Sequence, residues 1–216
     1  LDGLRFTHRW AGVIDTTTRF TPVFGTALGG RLAYAVGYTG LGVECVEGTA
    51  KITSPWTVEV QTAAGPKTLT TKNIVIAAGA RPFVPPIPGL AEVGYLTSDT
   101  VWNLRQLPKR LVVLGGGPIG SELTQAFARL GSQVPQVEML PRIMIREDPE
   151  VSDMVKKKFE AEGVRVLTEH KARQFIVEGG EKVLVAEHAG QDVRIPFDAV
   201  LVAVGRVANT AGYGLE

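Results

Sequence analysis

Three glycines spaced over six residues carry the most chemistry in this chain. Gly115, Gly117 and Gly120 directly follow the apolar run LVVL and open the segment PIGSELTQAFARL. Glycine lets a backbone turn tightly and approach a ligand without an intervening Cβ. A helix that starts there directs N–H groups and positive partial charge toward whatever lies in front of it. The G-x-G-x-x-G spacing between strand and helix therefore reads as a pyrophosphate cradle. Gly115 makes the tight turn, Gly117 admits the phosphates, and Gly120 lets the helix pack close on the strand. Pro118 and Ile119 complete the same cradle. The spacing alone is weak in a chain with 25 glycines; its position between a strand and a helix is what gives it meaning.

The second chemical group is a carboxylate. Glu138 ends the next apolar strand, 18 residues past Gly120. There it can accept hydrogen bonds from ribose hydroxyls and repel a 2′-phosphate, which favours NAD(H) over NADP(H). Arg142 and Arg146 follow it and would attract a phosphate, although a solvated loop is the plainer reading. The other candidates are poorer. Cys45 is the single cysteine, which excludes an internal disulfide or a cysteine-rich zinc site within these residues. Its setting, GVECVEG, reads as a strand with a small buried thiol. His8, His170 and His188 stand at no metal-ligand spacing and read as surface or strand residues. Lys156, Lys157 and Lys158 read as the solvated face of a helix.

These residues need elements to position them. RLVVL, QVPQVE and VRVLT read as strands separated by two helices. The first helix begins at Pro118 and presents Ile119, Leu123, Phe127 and Leu130 on one face. The second runs through DPEVSDMVKKKFEAEG, with Asp148 as its cap and Gly163 beyond its end. Strands turning at EGGE and HAGQD follow, and AVLVAVG then reads as another buried strand. The βαβαβ order implies an α/β, Rossmann-like domain: a parallel sheet with helices on both faces, plus a β-meander. Pro135 is discordant, because a proline inside a central strand removes a ladder bond. Upstream, WTVEVQT alternates as a strand and NIVIAAG reads as a fully buried one. The prolines between Pro82 and Pro88 form a stiff connector. TSDTVWNLRQLP reads as a short helix capped by Ser98 or Asp99. Residues 1–40 are the least legible, with weak helical periodicity around Leu28 to Val36.

Charge and hydropathy narrow the partners. A net charge of +1 gives no reason to expect nucleic acid or a membrane surface, and the apolar runs are too short to span a bilayer. The N-terminal LDGLRFTHRW lacks a signal-peptide pattern, so a cytoplasmic location is expected. It also lacks an initiator Met, which suggests a piece of a longer chain.

Taken in order, TKNIVIAAGARPFVPPIPGL, LTSDTVWNLRQLPKRLVVLGGGPIGSEL and FDAVLVAVGRVANTAGYGLE resemble the class I pyridine nucleotide-disulfide oxidoreductases. These are flavoproteins of the dihydrolipoamide dehydrogenase and mercuric reductase kind. The resemblance covers residues 41 to 216. It implies an NAD(P)-binding domain inserted into an FAD-binding domain, with Ala77-Ala78-Gly79 and Ala203-Val204-Gly205 as exit and return. It also implies roles: the three glycines hold the pyrophosphate, Glu122 lies near the nicotinamide ribose, and Glu138 binds the adenine ribose. Ala172 would lie against the adenine and Gly205 at the nicotinamide end. The plainer readings are a first-turn acid for Glu122, strand packing for Ala172 and a terminating turn for Gly205. The family's flavin fingerprint, redox Cys pair, Gly-Asp motif and dimerisation domain with its catalytic His are missing. Ala78 stands where the family has threonine and Ala208 where it has proline.

The expected organisation is then a partial FAD-domain segment over 1–81, a proline-rich connector over 82–98, an NAD(P)-binding domain over 99–204 and a return into the FAD domain over 205–216. The expected chemistry of the full-length protein, a homodimer with FAD, is hydride transfer from nicotinamide to flavin. This portion alone would lack turnover. The alternatives are a flavin NADH dehydrogenase or oxidase without a redox disulfide, and a non-catalytic dinucleotide-binding module.

Overall fold

The computed structural model describes residues 45–215 and the backbone of two strands upstream of them. It divides into two compact units. One is formed by residues up to 81 together with those from 208 onward, and the other by 82–207.

In the first unit, β1 (Val23–Ala27) and β2 (Leu32–Val36) pair antiparallel, with Val23 opposite Val36. The weak helical periodicity here gives way to a hairpin, in keeping with the Val, Phe, Thr and Tyr content of the two segments. The rest of residues 1–40, His8 included, lies outside the described residues. β3 (Thr49–Ser54), β4 (Thr57–Thr62) and β5 (Gly65–Thr70) form an antiparallel meander. Cys45 precedes it, exposed and outside any strand, so the buried-strand reading of the thiol is corrected. The reading of NIVIAAG is corrected too. Residues 73–79 belong to no strand, and Val75 and Ile76 are 77% and 48% exposed. The carbonyls of Ala78 and Gly79 accept from the side-chain amide and main-chain N–H of Asn209 instead of from a strand ladder. Apolarity marks what a segment can bury, but only a neighbouring strand makes it a strand.

β6 (Ala80–Pro82) leads to the second unit. There, helix α1 (Leu90–Val93) and strand β7 (Leu96–Thr97) precede β8 (Leu111–Leu114), α2 (Pro118–Leu130), β9 (Pro135–Val137), α3 (Pro149–Ala161) and β10 (Arg165–Leu167). The meander β11 (Lys171–Glu178), β12 (Glu181–His188) and β13 (Gln191–Phe197) comes next, then β14 (Ala199–Val202) and β15 (Arg206–Ala208). The five-stranded sheet has the order β10-β9-β8-β14-β7 and is parallel throughout. Every residue of β8 is buried, because both faces of the sheet are covered. Leu111 and Val113 pack with Leu123 and Phe127 of α2. Val112 and Leu114 face the other way, against α1 and the meander, with Phe175, Leu184 and Phe197.

Three readings of the second unit need adjustment, while the proline-rich connector itself packs, with Val84 and Ile87 on the core and Leu90 and Val93 buried after it. The segment after it is not a helix. Leu96–Thr97 joins the sheet edge, and only a 3-10 turn, Val101–Asn103, follows. The Thr100 hydroxyl takes the Thr97 N–H, a local side-chain bond that competes with helix. On α2 the most deeply buried positions are Gly120, Ser121 and Thr124, while Leu130 is 67% exposed. Small residues win that face because the helix lies close on the sheet. Finally, Pro135 is tolerated in β9. Gln133 N–H donates to Lys109, and Leu111 N–H to Gln133; the next donor in that series would be residue 135, which has none. The ladder to β8 resumes at Gln136 opposite Val113.

The ends of α2 and α3 are tied by Glu162, which accepts from Gln125, Arg129 and Lys158. Arg129 first, then Gln125 and Lys158, hold its carboxyl at about 2, well below the usual carboxylate range. A carboxyl depressed on folding stabilises above its unfolded pKa and stops doing so as pH falls through the folded value. Glu162→Gln is therefore expected to melt below the wild type at pH 7. The difference should shrink between roughly pH 4.5 and pH 2, and thermal melts at the two extremes check it. No helix among the described residues is long and apolar enough to cross a membrane.

Candidate dinucleotide-binding site

The chain leaves β8 at Gly115 with φ +113, and a Cβ there would sit 2.4 Å from the carbonyl oxygen of Ala203, just beyond β14. On the first turn of α2, a Cβ at Gly120 would sit 2.3 Å from the Gly115 oxygen. Gly117 differs: it is the N-cap residue just before α2, and nothing lies within 4 Å of where its Cβ would be. No side chain caps this helix, and Pro118 occupies its first turn. One glycine thus makes the turn, one the close packing and one an open face. The loop sits at the carboxyl ends of β8 and β14, where the strand order reverses. Open α/β sheets take ligands there.

Glu138 reaches into this loop. Its Oε2 accepts from Gly116 N–H at 2.6 Å and its Oε1 from Leu140 N–H at 2.8 Å. The Gly116 carbonyl accepts from Met144 N–H at 2.6 Å. Both polar groups of the middle glycine are therefore held by the segment that follows β9. That segment is pinned by Ile143, which is buried and whose carbonyl accepts from the Ser152 hydroxyl.

A model of the family described as "Pyridine nucleotide-disulphide oxidoreductase" matches residues 26–216. The chain belongs to the pyridine nucleotide-disulphide oxidoreductase family. It is 35% identical over 175 residues to a mercuric reductase of Staphylococcus aureus, covering 81% of this chain and 31% of that protein. It is 39% identical over 171 residues to a dihydrolipoyl dehydrogenase of Mycoplasma pneumoniae, covering 77% and 36%. The solved structure of an HOCl-induced flavoprotein disulfide reductase, RclA, from Escherichia coli superposes with a TM-score of 0.64 at 30% identity, over 78% of this chain and 37% of that one. The chain thus spans about a third of the length of these relatives.

In this pyridine nucleotide-disulphide oxidoreductase the sequence-derived site residues fall into two groups. Gly115, Gly117, Pro118, Ile119, Gly120 and Glu138 come together around one loop. The Glu122 side chain, Ala172 and Gly205 lie apart from the Gly116–Glu138 contact. Glu122 is exposed on α2. Ala172 packs on the core beside a bulge in β11. Gly205 is exposed at φ +140, and its carbonyl accepts from Phe83 N–H. Arg146 is exposed, but Arg142 is not the solvated cation expected: it is half-buried, and its Nη1 is enclosed without a hydrogen-bond partner. His188 ends β12, as expected of a strand residue, whereas the reading of His170 needs correction, because it is buried and lies in no strand. His170 and His188 are stacked, with ring centres 4.1 Å apart, and the main-chain N–H of the buried His170 donates to the Glu138 carbonyl. Among the described residues no group of three or more His, Cys, Asp or Glu could hold a metal ion.

Sequence reasoning missed Gly116, Gln136 and Ser121. Gln136 is fully buried on β9, and its Nε2 lies 3.2 Å from both the Gly115 oxygen and the Ser121 hydroxyl. The available signals were a third adjacent glycine and a polar residue inside an apolar strand.

Proposed function

We propose that the 82–207 unit binds a pyridine dinucleotide at the glycine loop, NADH in preference to NADPH. In the full-length protein it then presents the nicotinamide to FAD held by the flanking unit. What carries this reading is the Glu138 carboxylate lying 2.6 Å from the Gly116 N–H, an acid at the very loop that would cradle the phosphates. The residues fit the group. Gly117 leaves an open face, and the N-terminus of α2 carries no capping side chain that a phosphate would have to displace. Glu138 retains lone pairs for ribose hydroxyls while opposing a 2′-phosphate. Glu122, Ala172 and Gly205 are assigned to the nicotinamide ribose, the adenine and the nicotinamide end through the family resemblance. When bound, the dinucleotide supplies the hydride; the protein orients it and keeps it apart from solvent. The kinship with mercuric reductases and dihydrolipoyl dehydrogenases supports a homodimeric disulfide-type reductase and leaves the final electron acceptor open.

The test is a titration of the chain with NADH and NADPH followed by nicotinamide fluorescence. Tighter NADH binding is expected. Tighter NADPH binding would mean that Arg142 or Arg146 outweighs Glu138. The 216-residue chain is also expected to show no NADH oxidation without added flavin, and measurable consumption at 340 nm would refute that.

A further inference from the structure

Glu138 directly follows β9, two residues past Gln136, and its N–H continues the ladder to the Leu167 carbonyl, so the two side chains leave the chain on the same side. Glu138 takes the N–H of Gly116 and Gln136 gives its amide to the carbonyl of Gly115. Those two backbone groups are the opposite ends of a single planar peptide unit. We propose that Gln136 is a positioning residue: with Glu138 it clamps the Gly115–Gly116 peptide at both ends and fixes which way it faces. This rests on the dinucleotide reading of the loop.

The peptide needs such a clamp because both its flanking residues are glycines, which oppose rotation least. Were it to flip, its carbonyl would face the Glu138 carboxylate and its N–H would face the Gln136 amide, acceptor against acceptor and donor against donor. The orientation of the Gln136 amide is likewise dictated, since the Gly115 oxygen can only accept. Its other atom, Oε1, is buried with no hydrogen-bond partner. An apolar side chain would suit this fully enclosed strand position better, so the favourable contribution of Gln136 is concentrated in its Nε2 bonds. Ser121 extends the support: it accepts from Gln136, and its hydroxyl lies 3.4 Å from the Gly116 carbonyl. The division of labour follows. When Glu138 turns lone pairs toward ribose hydroxyls, Gln136 keeps hold of the other end of the peptide, so that ligand binding does not loosen the loop.

Two variants of this chain test the clamp. In Gln136→Met, amide hydrogen exchange at Gly116 is expected to be about tenfold faster in the ligand-free protein and NADH affinity about tenfold weaker. The Val113 amide in the core strand should keep its protection. Gln136→Glu adds a readout that a packing role would not move. A protonated carboxyl can donate to the Gly115 carbonyl as the amide does, and an ionised one repels it. Its NAD+ affinity relative to wild type should therefore be restored at about pH 5 and lost at about pH 8. Unchanged Gly116 exchange in the methionine variant, or no pH-dependent rescue in the glutamate variant, would overturn the proposal. A wild-type chain that binds no NADH would instead sink the dinucleotide reading, and Gly116 exchange would still decide the clamp.

Discussion

Gly115→Ala is expected to remove measurable NADH binding and about 3 kcal/mol of stability. Two costs coincide at this position. At φ +113 an L side chain is strained, and the added Cβ would press on the Ala203 carbonyl, 2.4 Å away. Neither neighbour yields easily, because Ala203 N–H donates to the Leu114 carbonyl and holds the end of β14 against β8. The loop has to move, and with it the N–H groups that would meet a pyrophosphate. Urea unfolding and an NADH titration read the two effects separately. By contrast, Gly117→Ala meets open space and should leave stability almost unchanged while weakening NADH, since any loss there comes from crowding the ligand. If Gly117→Ala bound NADH as tightly as wild type, the open face at Gly117 would not be the phosphate approach.

Glu138→Ala is the second large effect. Removing the carboxylate leaves the N–H groups of Gly116 and Leu140 without the acceptor they now share. Bonds to a charged acceptor are the stronger kind, so a destabilisation of about 2 kcal/mol is expected. NADH affinity should fall about a hundredfold, because ribose contacts and loop position are lost together. NADPH should lose far less, as the charge opposing its 2′-phosphate goes at the same time. Paired NADH and NADPH titrations check this. Equal losses for the two dinucleotides would show that Glu138 acts only on the loop and takes no part in choosing the ligand.

Much of the fold was legible because its signals are local. Pro118 and Pro149 open helices, the EGGE and HAGQD turns separate the meander strands, and LVVL is apolar throughout because both its faces are covered. Errors arose where a partner decides the outcome. NIVIAAG has the composition of a buried strand yet belongs to none among the described residues, and TSDTVWNL gives one residue, Thr97, to the sheet edge instead of forming a helix. His170 and His188 lie 18 positions apart in sequence, and only the pairing of β11 with β12 stacks their rings.

The site divides along the same line. Residue type and spacing by themselves identified the glycine loop, its place between strand and helix, and the acid at the end of the next strand. Each of these depends on what one residue permits its own backbone to do, or on a fixed repeat along a strand. Only the tertiary structure decided what Glu138 touches, why Gly116 as well as Gly115 and Gly120 must lack a side chain, and that a buried Gln136 supports the loop from beneath. Those facts depend on distances between β8, β9, α2 and the loop before α3. Such distances are set by how closely small side chains let these elements approach, which no single stretch of sequence records.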